Sequence, residues 1–327
     1  MAAPGEGVPL EVVLSAPRGF CAGVVRAVEI VELCLQRFGA PVYVRHEIVH
    51  NSHVVRALRG KGAVFVDEVS DVPEGATVIF AAHGVAPSVW DEARGRHLRI
   101  IDATCPLVTK VHLEAIRYAR EGYAILLVGH RGHDEVVGTL GEAPGQTIVV
   151  ESAQEAARVP VPDPSRVVAL TQTTLSVDDT RQIIGVLKAR FPRLVTRNDI
   201  CYATTNRQNA VKALPGQVDL VLVIGARNSS NCNRLKETAE AAGLPAYLVS
   251  GPEELQPAWF QGVRRVGITS GASTPEELVE AVVASLRPLG VRTVAVAEEQ
   301  VSFVLPKELR REARPKASPA MGHPAAP

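Results

Sequence analysis

Short apolar runs recur along the chain, each ending in a polar segment that leads into a longer stretch. Val12-Val13-Leu14, Val42-Tyr43-Val44, Val78-Ile79-Phe80, Ile125-Leu126-Leu127-Val128, Val167-Val168-Ala169-Leu170, Leu220-Val221-Leu222-Val223-Ile224 and Val266-Gly267-Ile268 read as strands. They are nearly continuous in apolar character rather than alternating, which predicts small parallel sheets buried on both faces. The stretches from Val24 to Phe38, Leu107 to Arg120 and Thr205 to Leu214 carry the spacing of helices. Ser176 with Asp179 predicts a helix cap, and Thr274-Pro275-Glu276-Glu277 predicts a capping box.

The pattern repeats three times. A strand and a turn lead into Cys21, Cys105 and Cys201, and a helix follows each one. Cys105 lies 84 residues after Cys21, and Cys201 lies 96 after Cys105. A second strand then ends in a polar loop, at Arg45 to Asn51, Gly129 to Glu135 and Gly225 to Asn231. A third strand follows (Val64 to Glu68, Ile148 to Ser152, Tyr247 to Ser250), and a fourth opens into Ala82-His83-Gly84, Gln172-Thr173-Thr174 and Gly271-Ala272-Ser273. The fold class expected is α/β, with three similar α/β units and mostly parallel sheets around a pseudo-threefold axis. The boundaries are 9–105 for the first unit, with 290–310 packing on it, 106–199 for the second and 200–289 for the third. The Ala- and Pro-rich stretch 311–327 is expected to be disordered.

With 327 residues the chain exceeds what one core usually serves. Formal net charge is zero, so nothing in the overall charge argues for nucleic acid. The small residues of Met1 to Gly7 do not resemble a signal peptide, and no apolar run approaches the length of a membrane helix. A cytoplasmic protein is expected. Five cysteines, an odd number, argue against a disulfide framework, and the absence of CxxC removes thioredoxin-like, zinc-ribbon and common ferredoxin readings.

Ligands of open α/β sheets sit beyond the carboxyl ends of the strands. All the polar loops lie at that end, so packing three units together converges three cysteines and three sets of loops. Helix N-termini are expected to lower the thiol pKa values. Three thiolates without an obvious fourth ligand suggest a [4Fe–4S] cluster with one open iron; zinc held by three cysteines and a histidine competes with it. The loops offer His50, His83, His133, Glu135, Thr173, Ser229, Asn231 and Ser273. Most are uncharged donors suited to phosphate, while GxxxxGK[ST] and GxGxxG are both missing. Glu135 is the lone carboxylate of the set and the natural proton donor. Cys34, Cys232, His46, His53, His97, His112 and His130 are read as structural. A zinc hydrolase on His130, His133 and Glu135 and a non-catalytic iron–sulfur sensor or electron carrier are the alternatives.

The motifs Pro17-Arg18-Gly19-Phe20-Cys21-Ala22-Gly23-Val24, Arg45-His46-Glu47-Ile48-Val49-His50-Asn51, Ala82-His83-Gly84-Val85, Asp102-Ala103-Thr104-Cys105-Pro106, Gly129-His130-Arg131-Gly132-His133-Asp134-Glu135, Thr171-Gln172-Thr173-Thr174 and Asn228-Ser229-Ser230-Asn231 resemble the LytB/IspH family. That resemblance spans about Val12 to Leu309. It implies a trefoil of three α/β domains around a central cluster and a 4-hydroxy-3-methylbut-2-enyl diphosphate reductase. The reaction implied is the last step of the non-mevalonate isoprenoid pathway, giving isopentenyl and dimethylallyl diphosphates. By position, the resemblance makes Cys21, Cys105 and Cys201 the ligands of a [4Fe–4S] cluster. Glu135 delivers the proton, Thr173 orients the hydroxyl and His133 assists both protonation and diphosphate contact. His50, His83, Ser229, Ser230, Asn231 and Ser273 hold the diphosphate. A ferredoxin or flavodoxin is the implied electron donor. Cys232 departs from the serine common in the family.

Overall fold

A computed structural model describes residues 10–310. The N-terminal residues Met1 to Gly7 and the tail 311–327 discussed above lie outside the described residues. The chain opens with β1 (Glu11–Ala16) and α1 (Ala22–Phe38). The first full repeat supplies β2 (Val42–Arg45), α2 (Ser52–Gly60), β3 (Ala63–Val66), β4 (Thr77–Phe80), α3 (Pro87–Gly95) and β5 (Arg99–Asp102). The second supplies α4 (Pro106–Arg120), β6 (Ala124–Val128), α5 (Asp134–Glu142), β7 (Thr147–Val150), α6 (Ala153–Ala156), β8 (Val167–Thr171), α7 (Val177–Arg190) and β9 (Val195–Thr196). The third supplies α8 (Tyr202–Lys212), β10 (Leu220–Ile224), α9 (Ser230–Ala241), β11 (Ala246–Val249), β12 (Arg265–Ser270), α10 (Glu276–Leu286) and β13 (Gly290–Ala295).

These strands form three wholly parallel sheets, ordered β3-β2-β4-β5, β7-β6-β8-β9 and β11-β10-β12-β1-β13. The α/β class and the three similar parallel sheets agree with the sequence pattern. The membership of one strand does not. The sequence boundaries put Glu11–Ala16 in the first unit, but β1 pairs with β12 in the third sheet, Val12 opposite Val266 and Val13 opposite Gly267. The reason lies in the repeat itself. Each strand that leads to a cysteine pairs with the fourth strand of the sheet before it: β5 with β4, β9 with β8 and β1, the earliest, with β12. An apolar run reports that a strand is buried, not which neighbour buries it. The segment 290–310 is likewise divided. Its β13 extends the third sheet beside β1, whereas Leu305 and Leu309 pack into the core under α1.

Each sheet is apolar on both faces. β10 (LVLVI) and β8 (VVALT) are buried at every position, which is why their sequences show no alternation. α1 covers the first sheet with Val24, Ala27, Val31 and Cys34, spaced by three or four residues, and with Ile30. Ile30→Ala would cost about 2–5 kcal/mol through lost burial and the cavity left behind. Ser176 caps α7 as expected, its hydroxyl accepting from the Asp179 amide at 3.2 Å. The expected capping box at Thr274 does not form. Pro275 takes the cap position of α10, and the Thr274 hydroxyl donates instead to the Ile224 carbonyl at 2.9 Å, tying β12 to β10. Among the described residues no helix is long and apolar enough to cross a membrane.

Candidate functional site

The carboxyl ends of the three sheets face one cavity. Cys21, Cys105, Cys201, His50, His83, His133, Glu135, Thr173, Ser229, Ser230, Asn231 and Ser273 all line it. The parallel arrangement brings them together, since every one lies just beyond a strand end. Cys34 and Cys232 lie apart, buried in the cores of the first and third sheets. Cys232 fills the space left by two glycines: a Cβ at Gly225 or Gly271 would overlap its sulfur.

Each cysteine is the cap residue of a helix (α1, α4, α8). Its amide is held by the carbonyl two residues past the neighbouring strand. Cys21 donates to Ala272 (3.1 Å), Cys105 to Ala82 (2.9 Å) and Cys201 to Thr173 (3.1 Å). These carbonyls are equivalent in the three repeats. They adjoin His83, belong to Thr173 and adjoin Ser273, so one staple sets both a thiol and a polar side chain. At Gly23 an added Cβ would stand 2.8 Å from Cys105 Sγ and 3.8 Å from Cys21 Sγ, so two thiols approach α1 where it lacks a side chain. Thr204, which sequence reasoning missed, sits with its hydroxyl 3.2 Å from Cys201 Sγ.

At Cys105 and Cys201 the expected lowering of the thiol pKa does not occur. Burial pushes Cys105 up to about 12 and Cys201 up to about 11, outweighing the backbone amides at the helix starts. A bound metal removes that penalty, because its charge holds coordinating sulfur as thiolate. The spacing bears on a single-zinc reading. Three thiolates on one zinc at about 2.3 Å each would lie about 3.8 Å apart. Cys21, Cys105 and Cys201 are not a set whose ligand atoms lie within 4.8 Å of one another, and neither are His130, His133 and Glu135. Neither zinc arrangement is therefore drawn together at single-ion spacing.

In the same cavity Glu135 is buried on the first turn of α5. Thr173 donates to it twice, from its amide to Oε2 and from its hydroxyl, each at 2.9 Å. Burial nonetheless prevails and raises the Glu135 pKa. His133 caps α5, its Nδ1 accepting from the Glu135 amide at 3.2 Å, so its proton belongs on Nε2.

The His50 and His83 rings stack at 4.0 Å, and His133 meets both edge-on at 5.6 and 6.0 Å. Burial lowers the His133 pKa to about 4, with His50 adding to the effect. Burial, then His50 and His133, hold His83 well below its ordinary value. Asp134 stands behind this group. Burial alone would raise its pKa, but the His46 hydrogen bond at 3.0 Å and nearby His83 hold it well down. His50, His83 and Asp134 bring their ligand atoms within 4.8 Å of one another. Asp134 is already engaged by His46 and the two rings stack, so these groups support one another rather than an ion. Asp134 and His46 were not read as part of the site; both lie in the repeated loops, but their pairing across two units leaves no spacing signal.

Asn231 is the clearest mark of a missing ligand. Its Oδ1 and Nδ2 are both buried without a protein partner, on the first turn of α9. Ser229 caps that helix, and the Ser273 hydroxyl donates to the His50 carbonyl at 3.0 Å, joining the third unit to the first. Asn51 accepts from the amides of His53 and Val54 and so fixes the start of α2 beside His50.

A model of the LytB protein family matches residues 12–287. The 4-hydroxy-3-methylbut-2-enyl diphosphate reductase of Ralstonia nicotianae is 55% identical over 312 residues, covering 94% of this chain and 96% of its own. The enzyme of the same name from Streptomyces avermitilis is 56% identical over 313 residues, covering 94% and 93%. Among solved structures, the E-1-hydroxy-2-methyl-but-2-enyl-4-diphosphate reductase of Plasmodium falciparum superposes with a TM-score of 0.89 at 39% identity, covering 92% of this chain and 97% of its own.

Proposed function

The chain belongs to the LytB family, and on that premise we propose that it is an iron–sulfur oxidoreductase that reduces 4-hydroxy-3-methylbut-2-enyl diphosphate to isopentenyl and dimethylallyl diphosphates. In this reaction the allylic C–O bond breaks, the oxygen leaves as water and a C–H bond forms, consuming two electrons and two protons. The observation that carries the reading is one cavity lined both by the three thiols and by the hydrogen-bonded Glu135–Thr173 pair.

Cys21, Cys105 and Cys201 would hold a [4Fe–4S] cluster. When bound, it supplies the electrons and, at the iron that no cysteine ligates, a Lewis acid for the hydroxyl oxygen. The remaining tasks fall to the chain. Glu135, whose burial favours the protonated form, is the proton store, and the Thr173 hydroxyl bonded to it orients the substrate oxygen and passes the proton. His133 points Nε2–H away from the helix it caps and donates to the ligand.

The diphosphate is received by His50, His83, His133, Ser229, Ser230, Asn231 and Ser273. The start of α9 adds free amides, and the unpartnered Nδ2 of Asn231 donates to a phosphate oxygen there. His83 and His133 are neutral near pH 7, so they serve as donors without being a standing charge. A ferredoxin or flavodoxin type of carrier delivers the electrons, and the five unpaired cysteines suit a reducing cytoplasm.

Anaerobic purification tests the reading. Iron and sulfide in near-equal amounts, together with reductant-dependent turnover of the allylic diphosphate, are expected. A chain that binds zinc in place of iron, or that binds a cluster and leaves the diphosphate unreduced, refutes it.

A further inference from the structure

Each helix that starts at a cysteine carries a cation in its second turn, and each cation reaches the turn in front of a different cysteine. Arg26 on α1 donates to the carbonyls of Ala103 (3.2 Å) and Thr104 (3.0 Å), which lead into Cys105. Lys110 on α4 donates to Asp199 Oδ1 at 3.0 Å, two residues before Cys201. Arg207 on α8 donates to the Gly19 carbonyl at 2.7 Å, two residues before Cys21. The links run in one direction: first helix to second turn, second to third, third back to first.

Arg207 is fully buried and Arg26 nearly so. Burying a guanidinium costs free energy unless its donors are satisfied, and here they are spent on these turns. Arg26 Nε also binds the Val304 carbonyl, and Arg207 Nη1 binds Glu299 and the Ala203 carbonyl, while Arg207 Nε is buried without a partner. Lys110 differs in being half exposed, while the Asp199 carboxylate it meets is fully buried and also accepts from the Thr171 amide. Asp199 and Glu299 offset two of the three charges, so the ring acts through geometry more than through net charge. Neither proton delivery nor diphosphate binding uses any of these residues.

A CxxC motif fixes the distance between two thiols by a local turn. Cysteines separated by 84 and 96 residues have no such means, and their spacing must come from links between units. We propose that Arg26, Lys110 and Arg207 are positioning residues of the metal centre. Each fixes the turn that presents the next unit's thiol, so that the three sulfurs are set at cluster spacing before the cluster arrives. The inference rests on reading the three cysteines as cluster ligands, and its first readout is independent of iron.

The metal-free full chain is treated with 1,3,5-tris(bromomethyl)benzene, a rigid reagent that joins three thiols facing one another, then digested for mass spectrometry. In the parent chain Cys21, Cys105 and Cys201 are recovered as one triply linked species. In Arg26→Met and Arg207→Met this species gives way to singly and doubly alkylated peptides, and Arg26→Lys restores part of it. Ile125→Ala, a buried core change in β6 that also lowers the melting temperature, leaves the triple link intact. In the reconstituted protein, iron loss to a chelator accelerates about tenfold in Arg26→Met, the usual scale for an outer-shell group. Full triple linkage in Arg26→Met, Lys110→Met and Arg207→Met overturns the proposal. Equal loss of linkage in Ile125→Ala also overturns it, because the effect is then one of folding. If the parent and variants differ in linkage as stated but the parent takes up no iron and sulfide, the ring stands and the cluster reading falls.

Discussion

Thr173 closes on Glu135 from two directions, its amide and its hydroxyl each 2.9 Å from the carboxylate. The pair bridges β8 and α5 and places one exchangeable proton between a buried acid and a hydroxyl at the cavity wall. Glu135→Gln keeps the shape and removes the proton. Turnover is expected to fall about 10²- to 10⁴-fold, the usual worth of a general acid, with iron content unchanged. The raised pKa also sets a pH dependence. The acid is fully protonated at low pH and turnover declines as the pH rises through its folded-state value. The pH profile of single-turnover rates checks this.

His133 carries the opposite sign. Its folded pKa of about 4 lies below the ordinary 6.5, because burial favours the neutral ring. Its contribution to stability is present above 6.5 and is lost as the pH falls toward 4. Acid unfolding followed by circular dichroism should therefore show a gentler limb in His133→Gln than in the parent chain.

The same lowered values predict proton uptake on binding. An anionic diphosphate beside His83 and His133 favours their charged forms and raises both pKa values. Calorimetry of substrate binding in buffers of differing ionisation enthalpy should register protons taken up at pH 7. In His83→Asn or His133→Gln the uptake should fall.

Gly23→Ala separates helix propensity from site chemistry. Alanine favours the interior of α1 by about 1 kcal/mol over glycine, yet its methyl would stand 2.8 Å from Cys105 Sγ. Iron bound after reconstitution is expected to fall about tenfold, while the circular dichroism of the metal-free chain stays that of the parent.

Asn51→Ala tests the cap that fixes the start of α2 beside His50. It removes the acceptor for two amides and should cost about 1 kcal/mol of stability. Thermal unfolding of the metal-free chain measures it, and a rise in KM larger than any change in kcat would tie that cap to diphosphate binding.

Much of this was legible in the sequence because the repeat carries it. Cys21, Cys105 and Cys201 recur in one context, and parallel sheets with continuous apolar strands force strand-end loops such as Ala82-His83 and Gln172-Thr173 to one side. What the repeat does not encode stayed hidden. The partner of β1 is set by closure of the third sheet, not by its own residues. Asp134 and His46 meet across two units without any spacing signal. Helix starts argue for acidic thiols, but the depth of Cys105 and Cys201 decides the matter, and burial is a property of the packed chain.

The place of β1 bears on how the protein is made. Its partner Gly267 leaves the ribosome some 250 residues after Val13, so the earliest strand waits through nearly all of synthesis. The first and second sheets are complete in sequence once β5 and β9 have emerged, and domains tend to fold as they emerge, N-terminal first. The turn holding Cys21, however, hangs from a strand with no sheet to join until β12 appears. Until then Cys21 is held only from its other side, by α1 packed on the first sheet. A chain cut short before β12 would leave β1 an unpaired strand.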